Sequence, residues 1–485
     1  MPALAVLTLA AGPVPAQADP ALPAGCEHKG NTITCGSLKD GDVVMGTDGD
    51  DTIVIKGDVP KGAAVRGGAG NDNISVYDVG VFVCTGDVGA TSEKGGEVDG
   101  GAGDDTILIG GGARDQACQN KIGNDIPLGN VSEQGKVIGG PGNDKITVGT
   151  LGYVKNDPEH ADKSLEVIAG RVDGGDGDDI IDVGSVATGA SFDNLETADG
   201  VYGGAGNDTI HVGNVDGFGL VSGGPGPDTL TIDGMNGGYV EGNDGDDTFV
   251  ATKGPIKSLA KFRGGPGNDT MTARSLWGAT ALEGEEGDDV IKVTNINGPD
   301  DMSAAPGFAV ASADGGPGND TITVELIGNM GSASGDEGND TIDVKSLNGP
   351  EDVVHGAPDE LKWHAGRAIG GDGDDKITVG TVGKMGEVWG DGYPGAPVKG
   401  RDVIKVGDVN GQAKVRGGPL ADVITVTNIN SKQASVNGEG GNDKITVTGV
   451  NKGTVIGGVG KKDICNAKGT KKTCEIPAKK AKQKK

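Results

Sequence analysis

The sequence predicts an all-β chain wound as a parallel β-solenoid in coils of about 20 residues, and three observations carry that prediction. A glycine-rich turn recurs along the chain, apolar residues stand at fixed stations on either side of it, and the composition is wrong for packed globular domains. Between Gly203 and Val250 the unit appears three times without padding, as G-G-A-G-N-D-T-I-H, G-G-P-G-P-D-T-L-T and G-N-D-G-D-D-T-F-V. The first glycines are Gly203, Gly223 and Gly242, spaced 20 and then 19 residues apart. Each turn closes on an aspartate, and alternating apolar residues follow, such as Ile210 and Val212 or Leu230 and Ile232. A content of 94 glycines against six Phe, five Tyr and three Trp in 485 residues fits a repeat array.

Turns of this kind begin at Gly46, Gly67, Gly100, Gly139, Gly174, Gly203, Gly223, Gly242, Gly264, Gly284, Gly315, Gly335, Gly370, Gly417 and Gly438, with degraded copies at Gly390 and Gly457. Counting each first glycine as position one, an apolar residue precedes it by two, as in Val44, Val65, Val98, Val137 and Phe262. Positions eight and ten are apolar as well, as in Ile53 and Ile55, Ile146 and Val148, Ile322 and Val324. With Thr, Lys or Asp between them, this is the period of two that marks a strand. A second short strand enters the next turn, so each coil reads as two strands and two turns, stacked into sheets with inward ladders of Val and Ile. Where the interval exceeds 20 residues, the excess falls between the first strand and the next turn, at 77–96, 110–136, 150–170, 295–312 and 347–366. Insertions on one edge of a solenoid serve either as an interaction face or as tolerated loops. Trp363, His364 and Trp389 are the aromatic group near them, with packing the plainer role.

The chemistry of the turn follows from its residue types. Glycine permits positive φ, which lets carbonyl oxygens face a common hollow, and the closing carboxylate adds a hard oxygen of the kind calcium prefers. One loop offers too few ligands, but a second loop stacked about 4.8 Å away completes a shell of six to eight. The nonapeptide G-G-x-G-x-D-x-U-x, with U apolar, resembles the repeat of the RTX-type calcium-binding proteins. That resemblance implies a right-handed parallel β-roll with calcium between successive turns. It also implies sixth-position carboxylate ligands at Asp51, Asp72, Asp105, Asp144, Asp179, Asp208, Asp228, Asp247, Asp269, Asp289, Asp320, Asp340, Asp375, Asp422 and Asp443. Backbone carbonyls of the same turns supply the remaining ligands. In the tandem form of the family both edges bind metal, whereas here only one turn per coil carries the motif, so a single row of sites is expected. Three copies depart from the pattern: Leu420 replaces a glycine after Gly417, Lys462 replaces the aspartate after Gly457, and residues 393–399 interrupt the Gly390 copy before Asp402. About a dozen calcium ions are expected, each shared by two turns. Good turn propensity alone does not explain why aspartate holds position six while Asn and Asp alternate at position five.

The formal charge is −29, and residues 461–485 hold ten Lys against Asp463 and Glu475, so the rest of the chain is still more acidic. Such a body repels nucleic acid and anionic membranes and calls for cations as partners. Residues 1–18 read as a signal peptide, with an apolar run from Leu4 to Ala11 and an A-x-A site at Ala16–Ala18, which places the chain outside the cell or at its surface. No later run is long and apolar enough for a membrane span. Six cysteines fit an oxidising compartment: Cys26 with Cys35 closes an N-terminal cap at 19–45, and Cys465 with Cys474 closes a C-terminal cap at 457–476. Cys84 and Cys118 hold nearly the same station on neighbouring coils and form the third expected pair. The repeats span 46–456, and 477–485 is a basic tail, with an anionic extracellular polymer as its candidate partner.

There is no H-E-x-x-H, G-x-S-x-G, Walker A or C-x-x-C motif, and the five histidines are scattered. The sequence therefore points to a secreted, non-enzymatic calcium-binding solenoid with a structural or adhesive role, in which calcium drives folding. Two alternatives stay open. One is a parallel β-helix acting on polysaccharides; the other is a ligand- or ice-binding adhesin, whose row would be Thr209, Thr229, Thr231, Thr248, Thr321 and Thr323. The sequence leaves the oligomeric state open.

Overall fold

Alternation at positions eight and ten becomes a stack of parallel strands. The computed structural model describes residues 22–80, 95–110, 130–131, 134–154, 167–168, 170–188, 200–297, 311–328, 330–348, 366–392 and 400–474. Residues 1–18, the Cys84–Cys118 pair, Trp363, His364 and the tail at 477–485 lie outside the described residues. Position eight forms an unbroken inward ladder running from Ile33 through Ile53, Ile74, Ile107 and Ile146 to Ile424, Ile445 and Cys465, each paired in register with the next. The strand entering each turn builds a second ladder from Val44 and Val65 through Val172, Val201 and Val221 to Val436 and Val455. Both ladders are fully buried over nearly their whole length. The chain is thus a parallel β-solenoid, and among the described residues it contains no helix.

A third ladder corrects the two-strand reading of the coil. Val59, Val79, Val131, Leu151, Val186, Val215, Met235, Ile256, Leu276, Ile296, Ile327, Leu347, Val382, Val409 and Ile429 stack in order and are buried. Most stand at position 13, in the same strand as positions eight and ten but after a break in the inward alternation at a residue such as Gly213 or Gly184. A period of two does not carry across that break, because the chain turns a corner there. Each coil is therefore three-sided, with the core between three apolar ladders. At about 1.5–3 kcal/mol for each fully buried Val, Ile or Leu, the ladders supply the apolar driving force that so few aromatic residues cannot.

Insertions leave the register untouched. Asp72 and Asp105 are 33 residues apart and Asp105 and Asp144 are 39 apart, yet they occupy the same station on adjacent rungs as Asp208 and Asp228, which are 20 apart. Among the described residues the pairing is parallel except for two antiparallel pairs, Cys26–Lys29 with Thr32–Cys35 and Tyr153–Val154 with Val167–Ile168. The first lies at the N-terminal end, where Thr32–Cys35 stacks under Thr52–Ile55 and Cys26–Lys29 folds back over its open edge, closed by the Cys26–Cys35 disulfide. A covered edge cannot pair with another chain. At the other end the segment expected as a cap is a further rung: Ile464–Asn466 and Thr470–Lys472 extend both sheets, tied by the Cys465–Cys474 disulfide.

Candidate metal centre

The turns between the second sheet and the first fall in one line along the solenoid, because both sheets keep register. The backbone of each turn curls as glycine allows: Gly204 and Gly206 take φ of 116° and 147°. The same two positions also lack room for a side chain, since a Cβ on Gly224 or Gly226 would overlap the carbonyl oxygen of Gly204 or Gly206 on the rung before. A Cβ on Gly203 would overlap both its own Asp208 Oδ2 and the carbonyl oxygen of Gly223. The hollow of the turn is therefore lined with oxygens, and only glycine leaves it free.

Every aspartate named from the sequence, from Asp51 to Asp443, lies in this single file. The backbone N–H of each donates to Oδ1 of the file aspartate on the next rung at 2.7–3.0 Å. Two members were missed. Asp402 stands between Asp375 and Asp422, and Asp463 accepts from Asp443, so the file closes over both degraded copies. Lys462 therefore does not stand in for the aspartate after Gly457; that turn has one extra residue, and Asp463 fills the station. The signal lay in the strand: each file aspartate stands two residues before a position-eight ladder residue, as Asp402 does before Ile404 and Asp463 before Cys465.

Position five runs the opposite way. Its backbone N–H donates to the Asn or Asp side chain of the preceding rung at 2.8–3.1 Å, as Asn71 does to Asp50 and Asp104 does to Asn71. The run breaks at Pro227, which has no N–H to give. A single exposed acceptor oxygen suffices at position five, and Asn and Asp supply it equally well. Position six is different. There Oδ1 caps the neighbouring N–H, and from Asp72 through Asp443 to Asp463 the second oxygen, Oδ2, is buried without a hydrogen-bond partner. Only Asp51 at the start has Oδ2 satisfied, by the N–H and hydroxyl of Thr47.

A row of buried anionic oxygens without donors is costly unless a cation answers it. Burial pushes the file carboxyls up, to about 8 for Asp228, Asp269 and Asp375 and about 9 for Asp422. The N–H bond to Oδ1 pulls the other way, and neighbouring file carboxylates push further up. Among the described residues no three His, Cys, Asp or Glu side chains converge on one point. An ion in this file would thus take carboxylate oxygens from the aspartates and the rest of its shell from backbone carbonyls. Hard oxygen donors lining a glycine-walled hollow fit calcium.

A parallel solenoid with a single file of aspartate-closed turns is the class that the fold and this file define. Compared with known families, the chain matches the RTX calcium-binding nonapeptide repeat in four copies, over residues 39–54, 171–186 and 197–218. The turns in those stretches match the RTX calcium-binding repeat, and the chain as a whole is a parallel β-solenoid. No curated protein matches the chain. Among solved structures it resembles a hyperactive, Ca2+-dependent, β-helical antifreeze protein from an Antarctic bacterium, at 17% identity over 88% of this chain and 87% of that one. The TM-score is 0.30, too low for the likeness to carry an argument about function.

Proposed function

We propose that the chain is a secreted solenoid in which calcium ions seated between successive turns hold the rungs together, and that its role is structural or adhesive at the cell surface or beyond it. The observation that supports this most is the unbroken run of buried, partnerless Oδ2 atoms from Asp72 to Asp463. Calcium there converts a repulsive column into the axis of the fold, on the order of a dozen ions in all. The two terminal disulfides support an oxidising, extracellular setting.

The outer faces support a structural role over an enzymatic one. Several of their charges pair across rungs, among them Arg66 with Glu97, Lys261 with Glu283 and Lys414 with Glu387. The Thr row on the first sheet, a candidate for ice or ligand contact, is broken in the paired strands by His211, Lys292 and Asp343. Calcium titration calorimetry on the chain without residues 1–18 tests the proposal. Saturable binding of several ions per chain is expected, and a titration without binding heat up to millimolar calcium would sink it.

A further inference from the structure

One residue beyond the third ladder the chain turns a side chain outward, and in the middle of the solenoid these residues form a registered row. Asp216, Asn236, Lys257, Trp277 and Asn297 stand on successive rungs, each paired with the next. Rungs repeat about every 4.8 Å, so the row is a straight line of side chains along the solenoid. The four coils that begin at Gly203, Gly223, Gly242 and Gly264 carry no insertion, and the row lies open on them.

Trp277 is its unusual member. The other described tryptophan, Trp389, is buried, whereas Trp277 is 38% exposed. Its indole N–H donates to Ser275 Oγ at 2.5 Å, which ties the ring down along its own strand. On the neighbouring rung Ser258 and Leu259 both take positive φ, 63° and 65°, and Leu259 is 68% exposed. A leucine held in the left-handed region and turned to solvent is strain that the core does not require. An exposed ring and an apolar side chain rimmed by polar groups mark a contact surface.

The charge around this ring is the reverse of the chain's. Residues 251–277 carry Lys253, Lys257, Lys261, Arg263 and Arg274 against Asp269 alone, in a chain of formal charge −29. Lys253 pairs with Asp233, Lys261 with Glu283, and Arg263 with Glu241 and Glu283. Lys257 and Arg274 have no acidic partner among the described residues, and Arg274 Nη1 donates to the Lys253 carbonyl at 3.4 Å. Two uncommitted cations thus attend the ring, one on the neighbouring rung and one three residues back along its strand. They offer charge-assisted hydrogen bonds to an anionic group.

We propose that this row binds an acidic glycan, with one sugar ring lying on Trp277, its carboxylate between Lys257 and Arg274, and the Asn236 and Asn297 amides bonding hydroxyls of neighbouring sugars. The aromatic face supplies an apolar platform, and amides both donate and accept. A peptide suits the row less well, because the backbone of these rungs is paired on both sides and leaves no free edge for a strand. Two free cations in line with Asp216 are too few for a nucleic-acid backbone. This rests on the adhesive role proposed above and names the chemistry of what that role would hold.

The test is calorimetric binding to the full chain in saturating calcium, with hyaluronan oligosaccharides as the acidic probe and uncharged chitin oligosaccharides and polyglutamate as comparisons. Circular dichroism checks the fold of each variant. The unaltered chain is expected to bind the hyaluronan oligosaccharides about tenfold more tightly than the chitin ones, and Trp277→Ala should weaken both about tenfold. Reversing Lys257→Glu together with Arg274→Glu should abolish the preference for the acidic glycan. Lys405→Glu, the same charge change on a distant rung, should leave it intact. If the folded, unaltered chain does not bind hyaluronan oligosaccharides, or if Trp277→Ala binds them as tightly, the assignment is wrong. If polyglutamate binds as well and responds to the charge reversals but not to Trp277→Ala, the surface holds an acidic polypeptide and the glycan reading falls. A β signal unchanged by chelator would overturn calcium-driven folding while leaving the row intact, provided glycan binding still follows these variants. Should Trp277→Ala fail to fold, the paired charge reversal decides alone.

Discussion

In chelator at pH 8 the chain is expected to lose most of its far-ultraviolet β signal and to recover it at millimolar calcium, whereas at pH 5 the metal-free chain should retain far more of that signal. The reason is the direction in which burial moves the file carboxyls. Their folded pKa values lie above the ordinary 3.8, at about 6 for Asp72, Asp105, Asp208, Asp247, Asp289 and Asp340, about 7 for Asp144, Asp179 and Asp320, and about 8 for Asp228 and Asp269. A group with a raised folded pKa stabilises the fold fully below its unfolded value and loses that contribution as pH rises through the folded one. Without metal, stability should therefore fall from pH 4 to pH 9. Calcium favours the charged form and competes with protons, so its midpoint should shift to higher calcium as pH falls. Circular dichroism across pH 4–9, with and without chelator, reads both trends. A β signal in chelator that holds steady or grows with rising pH would show that the buried file is not the axis of stability.

Replacing one file aspartate by asparagine should separate metal binding from folding. In Asp269→Asn the amide oxygen can still accept the Asp247 N–H, which now bonds Asp269 Oδ1 at 2.7 Å. An NH2 then occupies the place of the partnerless Oδ2 and donates to nearby carbonyls instead of repelling them. The metal-free chain should be as stable as before or more so, while calcium affinity at the bordering gaps falls on the order of tenfold, about 1.4 kcal/mol. Asp269→Ala removes both oxygens and strands the Asp247 N–H, which costs about 1–3 kcal/mol with or without calcium. Urea unfolding in chelator and in calcium compares the variants. Equal calcium stabilisation of Asp269→Asn and the unaltered chain would mean that Oδ2 is no ligand.

Much of this architecture was legible because burial fixes strand register and register fixes everything attached to it. The position-eight and position-ten residues, from Ile53 and Ile55 to Ile445 and Val447, are apolar in the sequence because they face one core. The single file follows from them, since a turn between two registered sheets has nowhere else to go. Two features were not legible, for separable reasons. The ladder from Val59 to Ile429 lies beyond a corner, where the period of two is interrupted. Asp402 and Asp463 vanish when positions are counted forward from glycine, because a turn tolerates extra residues and a buried strand does not.

The buried hydrogen bonds of the file all point one way along the chain, and that makes the two ends of the protein unequal. Clipping off the C-terminal rung at 457–474 would leave the Asp443 amide without the Asp463 oxygen it donates to, deep inside the turn. An orphaned donor of that kind costs about 1–3 kcal/mol. Beyond the ladder bonds that either cut breaks, shortening from the front leaves a spare carboxylate oxygen in the file and a position-five N–H whose acceptor was an exposed side chain of the preceding rung, and water or an ion can answer both. Fragments that begin late should therefore survive better than fragments that stop early, so the protein can be trimmed from its head but not from its foot.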